Sequence, residues 1–274
     1  MKKGTLSTVI LILVFLVGLS LLLYPSVSDY WNSLHQSRAI AQYAEQVANL
    51  NDELYAKLLD DAHSYNETLL QRGELHILSD EERAEYQSLL NISDNGILGY
   101  IEIPLIGCSL PIYHGTDDSV LQSAVGHIEG SSLPVGGVGS HSVLSGHRGL
   151  PSARLFTDLD KLDIGDTFIL RVLDETLTYE VDQILIVLPH EVYALDIDPE
   201  QDYCTLLTCT PYGVNSHRLL VRGHRVENQE EAKTIRVTAD AMQIKPLIVA
   251  PLVAVPMLLI LLIALLISTR KKKR

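Results

Sequence analysis

Two long apolar runs, one near each end, bound what this chain can fold into. Thr5 to Tyr24 is a stretch of about 20 residues without a charge, and Pro246 to Ser268 is a second of about 23. Either is long enough to cross a hydrocarbon core about 30 Å thick as a helix. Lys2 and Lys3 precede the first run, and Arg270-Lys271-Lys272-Lys273-Arg274 follows the second. Basic flanks stay on the cytoplasmic side, so both termini are expected inside and everything between them outside. The first run reads as a retained helix. Ser26-Val27-Ser28 behind it leaves open the alternative of a cleaved signal peptide.

The part between the runs is acidic. Seven of the 21 Lys and Arg sit at the two ends, leaving 14 against 34 Asp and Glu. Such a surface repels a phosphate backbone, which excludes nucleic acid as a partner. The cysteines are Cys108, Cys204 and Cys209. An odd number outside the cell leaves at least one thiol free, and a free thiol there invites a chemical role. The sequence contains no CxxC or HExxH spacing, so neither a metal nor a cofactor is expected.

From Tyr30 to about Arg72 the pattern is helical, with Ile40, Tyr43, Val47, Leu50 and Leu54 on one face. Asp80-Glu81-Glu82-Arg83 starts a second short helix, for which Ser79 is a suitable cap. After Gly96 the period changes to two, beginning with Tyr100 to Leu105. Short strands are expected at Ser142–Leu144, at Thr167–Leu173 and Thr176–Val187 as a hairpin across Asp174-Glu175, at Tyr203–Thr208 and at Arg218–Val226. Many short strands separated by Gly- and Pro-rich turns indicate a β-barrel or sandwich.

Three segments carry chemistry: Ser145-Gly146-His147-Arg148-Gly149-Leu150-Pro151, Thr205-Leu206-Leu207-Thr208-Cys209-Thr210-Pro211-Tyr212-Gly213, and Asn215 through Arg225. Cys209 ends an apolar strand and enters a turn, where sites are commonly built. Arg218 follows closely enough to return to the same edge, and nearby positive charge favours a thiolate. His147, between glycines at another strand end, is placed to move protons. Arg222 lies four residues beyond Arg218 on the same strand face, so alternation alone does not separate the two. His127, His141 and His224 read as structural. Cys204, five residues before Cys209, points to the opposite face, which excludes a disulfide between them.

These segments resemble the sortases, and within them the class C, pilin-polymerising enzymes. The TLxTC motif is met by Thr205-Leu206-Leu207-Thr208-Cys209, and the continuations Pro211 to Asn215 and His217 to Gly223 are similar to class C. So are Ser145 to Pro151 and Gly126 to Pro134. The resemblance implies a mainly β fold, a closed barrel of about eight strands with short helices, an N-terminal helical segment and a membrane helix at each end. It implies Cys209 as nucleophile, His147 as catalytic histidine and Arg218 as the arginine of the site; Thr208 and Thr210 are expected to contact substrate. The implied reaction is cysteine transpeptidation: an LPxTG-like sorting signal is cleaved between Thr and Gly and passed to a pilin lysine, building covalent pili on a Gram-positive cell. Attachment of proteins to cell-wall precursor is the same chemistry with another acceptor. A membrane-held binding ectodomain would need no free thiol. Class C enzymes often carry a lid with an Asp-Pro-aromatic motif, and residues 60–95 contain no Asp-Pro.

The organisation expected is an anchor or signal segment at 1–28, an extracellular helical segment with a possible modified lid at 29–95, and the catalytic barrel at 96–228. A linker follows at 229–245, and a second membrane helix with a basic cytoplasmic tail at 246–274.

Overall fold

A computed structural model of the chain describes residues 3–72, 75, 77–92, 94–228, 256 and 263. The chain divides into two compact units, Met1–Trp31 with Thr238–Arg274, and Asn32–Val237. In the first unit the described segment is the beginning of helix α1, Lys3–Ala48. Leu13, Val14, Val17 and Leu21 are exposed on it. The Ser20 hydroxyl donates to the Leu16 carbonyl at 2.8 Å, so it needs no water partner. Among the described residues α1 is the one helix long and apolar enough to cross a membrane. The second expected span, and the linker before it, fall outside the described residues except for Pro256 and Ile263.

The second unit is a barrel with helices packed on it. The single helix expected over Tyr30–Arg72 is two, because Asn51 interrupts it: α1 ends at Ala48 and α2 spans Asp52–Leu70. The Asn51 side chain accepts from the Leu54 amide at 2.8 Å, satisfying one of the donors a new helix exposes. Helix α3, Asp80–Ser88, begins at Ser79 with a full capping box closed by Glu82. A one-turn helix, α4, spans Asp118–Leu121.

Eight strands close the barrel: β1 Ile97–Ile103, β2 Cys108–His114, β3 Val125–His127, β4 Ser140–Ser145, β5 Thr167–Val172, β6 Glu175–Val187, β7 Asp202–Thr210 and β8 His217–Val226. Their order around the barrel is β1-β2-β3-β4-β7-β8-β6-β5. The sheet is mixed, with parallel pairs β2–β3 and β4–β7. β2 and β3 lie outside the strands expected from the sequence; Pro111 in β2 and the three-residue length of β3 hide their period. The interior is filled by Ile101, Leu144, Phe168, Leu170, Tyr179, Leu206 and Val221, among others.

The part of helix α1 that lies in this unit is tied to the barrel by polar contacts. The Tyr43 hydroxyl, 1% exposed, donates to the Leu98 carbonyl at 2.9 Å and accepts from the Leu173 amide at 2.7 Å. Asn32 Nδ2 donates to the Ser152 carbonyl at 2.8 Å. Tyr43→Phe leaves two buried backbone groups without a partner and is expected to cost about 1–3 kcal/mol of stability, read as a lower urea midpoint with unchanged slope.

Candidate active site

The site is built on the outer face of β4, β7, β8 and β6. On β7, Cys204 and Leu206 point into the barrel core, so Thr205, Leu207 and Cys209 point outward. β8 pairs antiparallel with β7 and sets Arg218 across from Cys209, Leu220 across from Leu207, and Arg222 across from Thr205. β4 runs parallel on the other edge, with Val143 beside Thr205 and Ser145 beside Leu207. Val143, Val187, Leu195 and Leu220 form a second apolar cluster on this face, separate from the barrel core, with Leu207 packed against it.

His147 leaves the end of β4 through Gly146, and Gly146 is held at both backbone polar groups. Its amide donates to the Leu207 carbonyl at 3.0 Å, and its carbonyl accepts from the Thr208 hydroxyl at 2.7 Å. A Cβ at Gly146 would lie 2.6 Å from the Phe156 ring, so a side chain there would push the loop away. The Phe156 amide in turn donates to the His147 carbonyl at 3.1 Å. His147 is thereby fixed at the end of β7 that carries Cys209, and both residues are half-buried.

The two arginines of β8 differ in their partners. Arg222 donates to both oxygens of Asp182 at 3.0 and 2.9 Å, and its guanidinium lies 4.0 Å from the Tyr203 ring centre. Arg218 Nη1 donates to the Asn215 and His217 carbonyls at 3.2 and 3.1 Å. Among the described residues Arg218 has no acidic partner, which leaves its remaining donors for a ligand. Arg225 is spent on the carbonyls of Thr176, Thr178 and Val226. Arg148 pairs with Asp160 beside the histidine.

Thr208 and Thr210, expected as substrate contacts, face elsewhere. Thr208 is 1% exposed and its hydroxyl is engaged by Gly146; Thr210 is 8% exposed and accepts from Arg148 Nη1 at 3.5 Å. Alternation turns the residue next to Cys209 toward the barrel, so Thr208 positions the loop of His147 and does not line the surface. The other two thiols are poor nucleophiles. Desolvation pushes Cys108 up to about 12 and raises Cys204 well above the ordinary thiol value. All three cysteines are free. Among the described residues no group of three His, Cys, Asp or Glu side chains could hold a metal.

Where a lid motif is lacking, Leu75 of the α2–α3 connection packs on the outer cluster, while Leu78 is buried in the barrel core and Ile77 is exposed. No periodicity in the sequence marks Leu75. The sequence did hold a signal for the outer cluster, in the alternation through β7.

A sortase-domain family model matches residues 101–226. The crystal structure of sortase C1 from Streptococcus agalactiae is 52% identical, covering 70% of this chain and 100% of that one, with a TM-score of 0.69. The chain belongs to the sortase family. Sortase C from Clostridium perfringens SM101 is 44% identical over 70% of this chain and 99% of its own, with a TM-score of 0.60. The same species' sortase C with the C-terminal cell wall sorting motif is 46% identical, covering 70% and 100%, with a TM-score of 0.62. Its structural neighbours thus include class C sortases. Sortase D of Bacillus subtilis is 33% identical over 131 residues, 47% of this chain and 63% of that relative's length. The chain therefore spans under two thirds of this curated relative.

Among the other described histidines of this sortase, His127 serves packing. His127 is fully buried, with Nδ1 on the Tyr86 hydroxyl at 2.9 Å and Nε2 on the Ser132 carbonyl at 2.8 Å. Burial depresses it from 6.5 to about 4. The unfolded chain takes up this proton below about 6.5, so the stabilisation is complete above that pH and is lost as pH falls through about 4. Urea unfolding between pH 7 and 4.5 is expected to show stability falling with pH, and His127→Asn to flatten that slope by up to about 1.4 kcal/mol per unit.

Proposed function

We propose that this sortase is a membrane-anchored cysteine transpeptidase of the pilin-polymerising class, with Cys209 as nucleophile. The observation that carries the reading is the β7–β8 register that faces Cys209 with Arg218, an arginine whose free donors turn to the same surface. Support comes from His147, held at the same strand end through Gly146, and from the class C structures at 52% and 44% identity. The sorting motif named in the Clostridium perfringens structure supports an LPxTG-like peptide as substrate.

In this mechanism the Cys209 thiolate attacks the Thr carbonyl of the Thr–Gly bond, and the carbonyl electrons move onto oxygen. Arg218 donates to that oxyanion. When the tetrahedral adduct collapses, the C–N bond breaks and protonated His147 delivers its proton to the departing glycine amine. A thioester to Cys209 remains. A lysine amine of the next pilin then attacks the thioester, His147 takes the proton, and the Cys209 thiolate leaves as an isopeptide bond forms. The α1 anchor, a second C-terminal span and cytoplasmic termini would hold the barrel at the outer surface of a Gram-positive cell.

Cys209→Ala and His147→Ala are expected to abolish transfer of a fluorescent LPxTG-like peptide to an amine acceptor. Arg218→Lys should lose at least about tenfold in kcat/KM, because an ammonium cannot reproduce the planar guanidinium fork. Turnover at the wild-type rate by Cys209→Ala would rule out the reading.

A further inference from the structure

Part of the outer face that ends at Cys209 and Arg218 is walled by a segment outside the strands. This is the segment between β6 and β7, residues 188–201. Its Leu195, at the end of a 3-10 turn over Tyr193–Leu195, is 5% exposed and packs with Val143, Val187 and Leu220. Leu188, Val192 and Tyr193 are exposed on the same segment. A loop of this length needs a tie to keep one position, since its ends alone leave its middle free.

His141 supplies the tie. It lies on β4, is 1% exposed, and shares the outward face with Val143. Its Nδ1 is 2.9 Å from the Asp196 carbonyl and its Nε2 is 2.7 Å from the Thr205 hydroxyl. A carbonyl only accepts, so Nδ1 carries the proton and donates to Asp196. In the neutral ring Nε2 is then an acceptor and takes the Thr205 hydroxyl proton. Burial favours this neutral form. The Tyr203 ring meets the imidazole edge-on at a centroid distance of 5.6 Å, and Tyr203 is itself held by Arg222. The chain of contacts therefore runs from a threonine on the cysteine's own strand, through His141, to the residue after Leu195.

We infer that His141 is a positioning residue that clamps the β6–β7 segment against the barrel and so sets the shape of the outer face leading to Cys209. It rests on the transpeptidase reading for its consequence, peptide affinity, but the clamp itself is independent of any reaction. The hydrogen bonds of the His141 ring go to Asp196 and Thr205, so it acts through the β6–β7 segment.

The geometry also provides the control. The amide nitrogen of Asn is placed like Nδ1 of histidine, and that of Gln like Nε2. His141→Asn therefore keeps a donor for Asp196, whereas His141→Gln loses it. Both variants are tested as full-length protein in detergent micelles, with a fluorogenic LPxTG-like peptide and an amine acceptor. His141→Gln is expected to raise KM about tenfold while kcat changes less than about threefold, and His141→Asn to stay near wild type. Chymotryptic cleavage after Tyr193 reads the clamp without turnover: it should be faster in His141→Gln than in His141→Asn and wild type. Equal KM and equal cleavage in both variants, or a loss confined to kcat, would overturn the inference. Should His141→Gln fail to fold, Thr205→Val takes its place. It removes the hydroxyl that holds Nε2 and so lets the ring turn away from Asp196; faster cleavage after Tyr193 supports the clamp while unchanged cleavage overturns it. A wild type that cleaves no peptide sinks the transpeptidase reading alone, since the cleavage comparison still decides the clamp.

Discussion

β7 is hydrogen-bonded on both edges, parallel to β4 and antiparallel to β8, and the placement of each reactive side chain follows from those two registers. The antiparallel edge makes Arg218 the neighbour of Cys209. The parallel edge brings the end of β4 level with Leu207, two residues short of the cysteine, so the loop that leaves β4 passes beside it. A slip of one residue on either edge would turn Cys209 into the barrel core or carry Arg218 out of reach, because strand side chains alternate. The core residues Leu206 and Val221 and the outward Leu207 and Leu220 oppose such a slip from both faces.

That double burial explains why the motif around the cysteine is apolar and why its threonines are not surface residues. Leu206 and Leu207 serve two different clusters, one inside the barrel and one outside it. Thr205 and Thr208 each spend a hydroxyl on a neighbouring segment, the first on His141 and the second on Gly146. Buried hydroxyls of this kind fix geometry because leaving either partner unpaired is costly.

Much of the fold was legible because its strands alternate over long enough runs. The hairpin expected over Thr167–Val187 corresponds to β5 and β6, and the expected strands around Cys209 and Arg218 correspond to β7 and β8. The break at Asn51 was not, since the apolar face of the helix continues from Val47 to Leu54 across it; the cap is a local hydrogen bond that periodicity does not register. At the site, the ambiguity between Arg218 and Arg222 was inherent in their shared strand face. Pairing resolves their surroundings: Arg222 is tied to Asp182, a residue on β6 some forty positions earlier. The turning of Thr208 toward Gly146 follows from the same alternation, applied one residue from the cysteine.

The closure of the barrel has a further effect. Every strand has a neighbour on both sides, so among the described residues a ladder is left open only in part, as over residues 182–187 of β6 beyond its pairing with β5. An extended peptide meeting this surface finds no complete strand edge to extend as an added strand. The same closure limits pairing with other chains, which lowers the tendency to edge-to-edge aggregation.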